Sequence, residues 1–394
     1  MDTTRQRNLA IDMFRGLTML LMIIVNDFWK VIDIPHWLEH FATMEDGMGL
    51  SDIVYPMFLF AMGMSVPLAL DKRAEKGYST GNTVRHILSR TLALLLMGVF
   101  ICNSEHGVQS ILGFGTGVYW LLMVVAFFLV WGVYPSESRT ARPLRITGII
   151  VLAFLAVTYR SPEGGLFQAH WWGILGQIGW MYLFCASAYL LCGKRKWILA
   201  VLWGVLCLVN LSVAPMRDGG QMVGPNFLAD FAGALHLDNG NSVILALGGL
   251  LTTLAERRLQ EFSTAAKLAA AFGASALIAL AAFGTHQGWI ISKNLGTLPW
   301  VLYSTAISVS VYALLRLLEK HSLTHWFVPL RPCGTSTLSV YMIPYFCLAI
   351  WVFVGPTIPE WFRGWVGVAG CVLFGLQCVG MAWILEKLKI KLKI

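Results

Sequence analysis

The sequence predicts an all-α, polytopic transmembrane helical bundle of about 10–12 spans with both termini cytoplasmic, and three observations predict it. Of 394 residues, 57% are hydrophobic and only 13% charged, against about 25% charged in an ordinary soluble domain. Apolar stretches recur along the whole chain near the length of about 20 residues that a spanning helix needs. Lysine and arginine collect in alternate connections between those stretches, as they do on the cytoplasmic side of membrane proteins. A soluble fold this apolar has too little polar surface to cover itself. Disordered chains are charge-rich and apolar-poor, so disorder is excluded as well. The net charge of +8 lies between apolar stretches, as topology and not as a phosphate-tracking surface, and no nucleic-acid partner is expected.

Twelve spans are expected. The first, Leu9–Phe28, follows the basic segment Met1–Arg7; it contains Asp12 and Arg15 and lacks a small-residue cleavage site, so it reads as a helix that stays attached and not as a signal peptide. The others are Asp52–Leu70, His86–Cys102, Val118–Tyr134, Leu144–Tyr159, Trp172–Cys192, Trp197–Val213, Ser242–Ala255, Ala265–Phe283, Leu298–Leu318, Thr335–Val354 and Trp365–Ile384. The eighth is short. Keeping it puts Arg257 and Arg258 inside, so that 24 of the 29 cations are cytoplasmic and only Lys30, Arg160, Arg217, Lys293 and Arg363 are outside. Acidic residues lean the other way, 12 outside and 9 inside, and His36, His40, His106, His170, His236 and His286 also fall at the outer face. The two longest outer loops, Trp29–Ser51 and Ala214–Asn241, are threaded with apolar and aromatic residues, which marks them as packed on the bundle. No repeat or soluble domain is visible, and residues 1–394 read as one transmembrane domain. The eight cysteines lack CxxC spacing and lie mostly in apolar runs. They read as small buried hydrophobes, and neither a disulfide framework nor a metal site is expected.

Several polar residues stand out. Asp12 and Arg15, three apart, share a helix face; they form either an ion pair that eases insertion or a site where Arg15 meets an anion in a cavity. Asn26 and Asp27 close the first span, His36, Glu39 and His40 follow in the loop, and Asp52 opens the second span. A carboxylate beside a histidine fixes its tautomer and raises its basicity, as a general base needs; Asp52 alone also suits a helix cap. Lys293 and Asn294 lie at the outer mouth of the tenth span, either a snorkelling lysine beside a polar neighbour or a pair of donors for a developing oxyanion. In the sixth span Gly173, Gly176 and Gly179 line one face for close helix packing, and Gln177 beside them needs a partner. The hydroxyls from Thr335 through Ser336 to Tyr341 either bond back to helix carbonyls or line a polar cavity. Trp37, Trp171 and Trp289, on outer loops, are suited to stack on a sugar ring.

These residues, in this order, resemble the family of heparan-alpha-glucosaminide N-acetyltransferase and its bacterial relatives. The family's Asp-x-Phe-Arg-Gly is matched by Asp12, Phe14, Arg15 and Gly16, its helix-end asparagine by Asn26, and its loop histidine best by His40, with His36 the neighbouring alternative. Its Asp-Leu-Val-Phe-Pro-x-Phe-x-Phe stretch is matched from Asp52 through Phe60 and then Gly63, and its Lys-Asn-Leu-Trp-Thr stretch by Lys293 to Thr297. The chain departs from the pattern at Ile178, where relatives often carry arginine, at Ser336 and Pro344, and in a His40–Asp52 segment two residues longer that includes Glu45 and Asp46. The resemblance implies acetyl transfer from acetyl-CoA, without a metal, to a glucosamine-type amino sugar, in a multi-pass protein of the bacterial cytoplasmic (inner) membrane and in a homodimer. It implies His40 as the catalytic residue, with Asn26 near the reacting acetyl group; in the mechanism expected from these residues His40 is the general base, Asp52 orients it, and Asn26, Lys293 and Asn294 stabilise the oxyanion. Donor phosphates would meet Arg15, Arg85 or Arg90, and Asp12, Gln177, Ser336 and Tyr341 complete the binding set. Because some relatives are linked to amino-sugar uptake, the rival is a proton-coupled amino-sugar or muropeptide transporter in which Asp12 and Arg15 gate the path.

Overall fold

The computed structural model describes residues 9–135, 139–171, 173–217, 239–355 and 357–394. Arg5, Arg7, Trp172, His236 and most of the expected outer loop 214–241 lie outside the described residues. Elsewhere the apolar stretches are helical, as hydrocarbon requires, since only a helix satisfies its backbone polar groups within one segment. The helices are α1 (Leu9–Asn26), α2 (Leu50–Glu75), α3 (Thr80–Glu105), α4 (Thr116–Trp131), α5 (Ala141–Thr158), α6 (Ile174–Leu191) and α7 (Trp197–Val213). They continue with α8 (Asn241–Arg258), α9 (Thr264–His286), α10 (Leu298–Lys320), the short α11 (Arg331–Thr335), α12 (Thr337–Val354) and α13 (Gly364–Lys387). Every expected span falls mainly on one helix, and nine helices among the described residues are long and apolar enough to cross a membrane. Helices α4 and α7 are apolar but shorter, while α8 carries Glu256, Arg257 and Arg258 in its last turn.

The ends differ from expectation where polar groups find partners. Helix α2 runs past Leu70 because Asp71 is held at the bundle's end by Arg257 and by the Tyr189 hydroxyl, which donates to Oδ1 at 2.9 Å. Helix α3 starts six residues before His86, capped by Ser79, whose Oγ accepts from Asn82 N at 3.3 Å. The eleventh expected span is broken at Ser336, which separates α11 from α12. Successive long helices reverse direction, so the bundle has two ends. One carries Arg15, Asp71 and Thr337, and the other carries His40, Asp52 and Lys293.

At the centre, α2 meets α8 backbone to backbone. A Cβ on Gly63 would stand 1.8 Å from the Ala246 carbonyl oxygen, and one on Gly249 would stand 2.0 Å from that of Phe60. The glycine stripe of α6 does the same against α3, where a Cβ on Gly98 would stand 2.6 Å from Gly176 N. Such contacts let helices associate where lipid offers no hydrophobic drive between them. Gly63→Ala is therefore expected to force α2 off α8 and cost roughly 1–3 kcal/mol or more, seen as a lowered melting temperature of the detergent-solubilised protein; an unchanged melt would contradict this packing. Outward-facing apolar residues such as Ile150 on α5, Leu277 and Leu280 on α9 and Leu373 on α13 are more than half exposed, a surface that a bilayer covers. The chain is a multi-pass helical membrane protein.

Candidate active site

Asp52 organises the His40 end. It sits in the first turn of α2, where one carboxylate oxygen accepts the backbone N–H groups of Gly49 (3.1 Å) and Phe41 (3.0 Å). The other oxygen lies 2.7 Å from His40 Nδ1. Ser51 donates to the Leu38 carbonyl at 2.6 Å, so the start of α2 fixes the loop that carries the histidine. The Asp52 side chain is 2% exposed and His40 50%: a buried carboxylate holds a ring that is open on its far side. Lys293 Nζ stands 3.1 Å from His40 Nδ1 and 3.7 Å from Asp52. An ionised carboxylate only accepts, so the shorter contact puts the proton on Nδ1 and leaves the lone pair on Nε2. Lys293 then acts on the charge of Asp52 and not as a donor to the ring. Burial holds the Lys293 ammonium below the usual lysine range, against the opposing pull of Asp52.

The Lys293 loop is built for this position. Thr297 donates to the Ile290 carbonyl at 2.7 Å and Ser292 to that of Thr43 at 2.8 Å. Asn294 Nδ2 reaches the Phe41 carbonyl and the Thr43 hydroxyl, each at 3.4 Å, and so ties the two loops together. At position 296 the motif's tryptophan is replaced by glycine. Gly296 has φ +59°, and a Cβ there would stand 1.9 Å from Asn241 Nδ2, so this loop takes only glycine.

Glu45 and Asp46, the acidic residues of the lengthened segment, clamp the histidine loop. Glu45 meets His36 Nε2 at 2.6 Å, and His36 stacks on Phe41 with centroids 4.3 Å apart. Asp46 bridges to His286 at the end of α9 (2.8 Å), to Arg217 beyond α7 (2.6 Å) and to the backbone N–H of Ile291 in the α9–α10 connection (2.9 Å). His36 is thus occupied away from Asp52. Burial pushes the Asp46 carboxyl up, but Ile291 N–H, His286 and Arg217 outweigh it and hold the group below its usual value. The Glu45 hydrogen bond raises His36. The Asp46 contribution is complete above the ordinary carboxylate range and is lost as pH falls through its lowered value. The His36 contribution is complete below the ordinary histidine value and is lost as pH rises through its raised one. Proteolysis of loop 31–49 in the solubilised protein is expected to be slowest between about pH 4 and 6.5 and faster on either side; a rate that merely follows the protease's own pH profile would exclude the clamp.

Two cavities run into the bundle from opposite ends. The one at the His40 end, about 510 Å³, is lined by Asn26, Asp27, Trp29, Glu105, Trp120 and Tyr345 among others. The one at the Arg15 end, about 500 Å³, is lined by Asp12, Arg15, Lys72, Arg90, Ser336 and Thr337, with Lys391 and Lys393. Met22, Ile174 and Tyr341 line both and form a common wall. Arg15 donates to Thr337 Oγ1 at 3.0 Å and lies 3.9 Å from Asp12. Gln177 finds its partner in the Tyr55 hydroxyl, which couples α2, one turn below Asp52, to α6, one turn from Ile174. Arg85 lies on the exposed surface and is not in the wall of either cavity.

The geometry thus gathers His40, Asp52, Lys293 and Asn294 at one place, and Asp12, Arg15, Ser336 and Tyr341 around one cavity. Asn26 lines the other cavity, and His40 is not among that cavity's lining residues. Trp289 corrects an expectation: it is 9% exposed and donates to the Ala214 carbonyl at 3.2 Å, so it packs its loop and offers no face to a sugar. Trp29, by contrast, is exposed and set in a cavity wall. Sequence reasoning missed it, along with Glu105 and the Asp46–His286 bridge, because these partners are far apart in the chain.

A family model described as a domain of unknown function (DUF5009) matches residues 7–222. Among curated proteins, heparan-alpha-glucosaminide N-acetyltransferase of Mus musculus is 28% identical over 145 residues, covering 32% of this chain and 20% of the mouse protein. The protein of the same name from Homo sapiens is 29% identical over 97 residues, covering 25% of this chain and 14% of the human one. The similarity is distant and spans at most a fifth of those relatives' length.

Proposed function

From its membership of the family defined by the DUF5009 domain, which covers more than half of the chain, and from the site, we propose that this protein is a transmembrane acyltransferase moving an acetyl group from acetyl-CoA to an amino sugar. The observation that carries the reading is the His40–Asp52 pair, a histidine held by a buried carboxylate with Nε2 left free. The distant similarity to N-acetyltransferases supports it. So does the cationic cavity at the Arg15 end, whose arginines and lysines suit the phosphates of a nucleotide thioester.

In this mechanism the donor's phosphates meet Arg15, Lys72 and Arg90, with Asp12, Ser336 and Tyr341 shaping the path and Gln177 bracing it through Tyr55. The sugar amine attacks the thioester carbonyl while His40 Nε2 takes its proton. Asp52 stabilises the imidazolium, and the oxyanion is stabilised by Asn26 or by Lys293 with Asn294, a contribution of about 3 kcal/mol for one well-placed donor. Collapse expels the CoA thiolate, which recovers the proton from His40. The Arg15 end and both termini face the cytoplasm of a bacterial inner-membrane protein, residues 1–394 act as one domain, and the assembly is a homodimer. A second reading, a proton-coupled amino-sugar or muropeptide transporter, is favoured by the two opposed cavities with their common wall.

Free-thiol release from acetyl-CoA by the purified protein, with and without glucosamine, separates the two. Sugar-dependent release establishes the transferase. Uptake of labelled sugar into vesicles without any acyl donor, and no thiol release, establishes transport.

A further inference from the structure

The cavity at the His40 end holds one acidic group that forms no ion pair among the described residues. Asp27, in its wall, is matched by Lys30, whose ammonium contacts the carboxylate and lies 5.5 Å from the Trp29 ring centroid and 5.2 Å from that of Phe374. Glu105, at the end of α3, forms no ion pair among the described residues. One of its oxygens accepts from the Tyr345 hydroxyl at 2.8 Å, and the other has no hydrogen-bond partner among them. His106, next in the chain, spends Nδ1 on the Cys102 carbonyl at 2.8 Å and stacks on His170. The surrounding wall is aromatic: Trp29 is 72% exposed, Trp120 lies edge-on to Tyr345, and the Trp120 indole N–H lacks an acceptor among the described residues. The Asn26 amide is exposed at the same wall and likewise unpartnered among the described residues.

A carboxylate with a free oxygen, aromatic faces and unpartnered donors describe a ligand with a cationic amine, a ring to lie on those faces, and hydroxyl oxygens to accept. We propose that Glu105 is the specificity-determining residue of an acceptor subsite for hexosamines, binding the sugar's ammonium and taking the proton that must leave it before the neutral amine attacks, and thereby selecting amino sugars over neutral ones. The inference rests on the transferase reading for its biological role, but the binding it describes needs no acyl donor. The cavity volume of about 510 Å³ lies within the range of small-molecule sites.

The test is calorimetric binding of glucosamine and of glucose to the full chain in detergent, without acetyl-CoA, for the wild type, Glu105→Gln and Tyr345→Phe. Glutamine keeps an acceptor for Tyr345 and removes the charge; Tyr345→Phe removes that hydrogen bond and keeps the charge. Glu105→Gln is expected to weaken glucosamine binding about tenfold or more and to leave glucose, bound weakly, unchanged, while Tyr345→Phe retains the preference for the amine. Absence of glucosamine binding in the wild type, an intact preference in Glu105→Gln, or equal loss in both variants would each overturn the proposal. Glu105-dependent binding without any thiol release would keep the subsite and remove the transferase. Glucosamine-dependent thiol release that is indifferent to Glu105→Gln would do the reverse.

Discussion

His40→Ala is expected to lower sugar-dependent thiol release by roughly 10²–10⁴-fold, the contribution of a positioned general base, while the melting temperature of the solubilised protein changes little. The second half follows from exposure: His40 is half exposed and, among the described residues, its ring is hydrogen-bonded by Asp52 alone, so its loss leaves no buried cavity. Asp52→Asn should reduce turnover for a different reason. An amide that donates to Nδ1 would force the ring proton onto Nε2, and the base would lose its lone pair. That variant also weakens the anchoring of Phe41 and Gly49, whose N–H groups share one carboxylate oxygen. Lys293→Met separates the effects, since it leaves the Asp52–His40 contact in place and removes only the neighbouring positive charge. Near-normal turnover in His40→Ala would remove the histidine from the mechanism. The glutamate-paired His36 would not replace it, because its Nε2 is already engaged by Glu45.

Much of the architecture was legible in the sequence because the membrane imposes a simple rule on each segment separately. A run of apolar residues must be a helix, and the cations mark its ends, so each expected span meets a helix, and α2 runs on even through Pro56 and Pro67. The ends were less legible because they depend on partners elsewhere: Asp71 extends α2 through Tyr189 and Arg257, and neither is near it in the chain. The histidine cluster was partly legible, since Asp52 lies 12 residues from His40, but nothing local distinguishes Asp46. Its partner His286 is 240 residues away, and its carboxylate carries no motif. The cavity at the Arg15 end was partly legible, from Arg15 and the hydroxyls of Ser336 to Tyr341, whereas the cavity lined by Glu105 was not. Glu105 reads as an ordinary acidic helix end until α12 brings Tyr345 to it.

The common wall of the two cavities provides a prediction that is independent of the base. Ile174 is the first residue of α6, is only partly buried, and with Met22 and Tyr341 separates the Arg15 end from the His40 end. If the acyl arm of a donor held by Arg15, Lys72 and Arg90 must pass this wall to reach the sugar, Ile174→Trp should obstruct it. Thiol release is then expected to fall by about 10²-fold, the scale on which misplacing a reacting group by an ångström acts. Binding of acetyl-CoA at one end and of glucosamine at the other should persist, because the phosphate-facing cations and Glu105 itself are unchanged and only the shared wall is altered. Overpacking itself costs roughly 1–3 kcal/mol, so the melting temperature of the tryptophan variant is measured beside that of Ile174→Ala, which opens the wall and should keep or raise turnover. Both ligands bound with transfer lost would show that the reactants meet only through this wall. Full turnover in Ile174→Trp would mean that donor and sugar approach from the same end, and the cations around Arg15 would then serve some other anion.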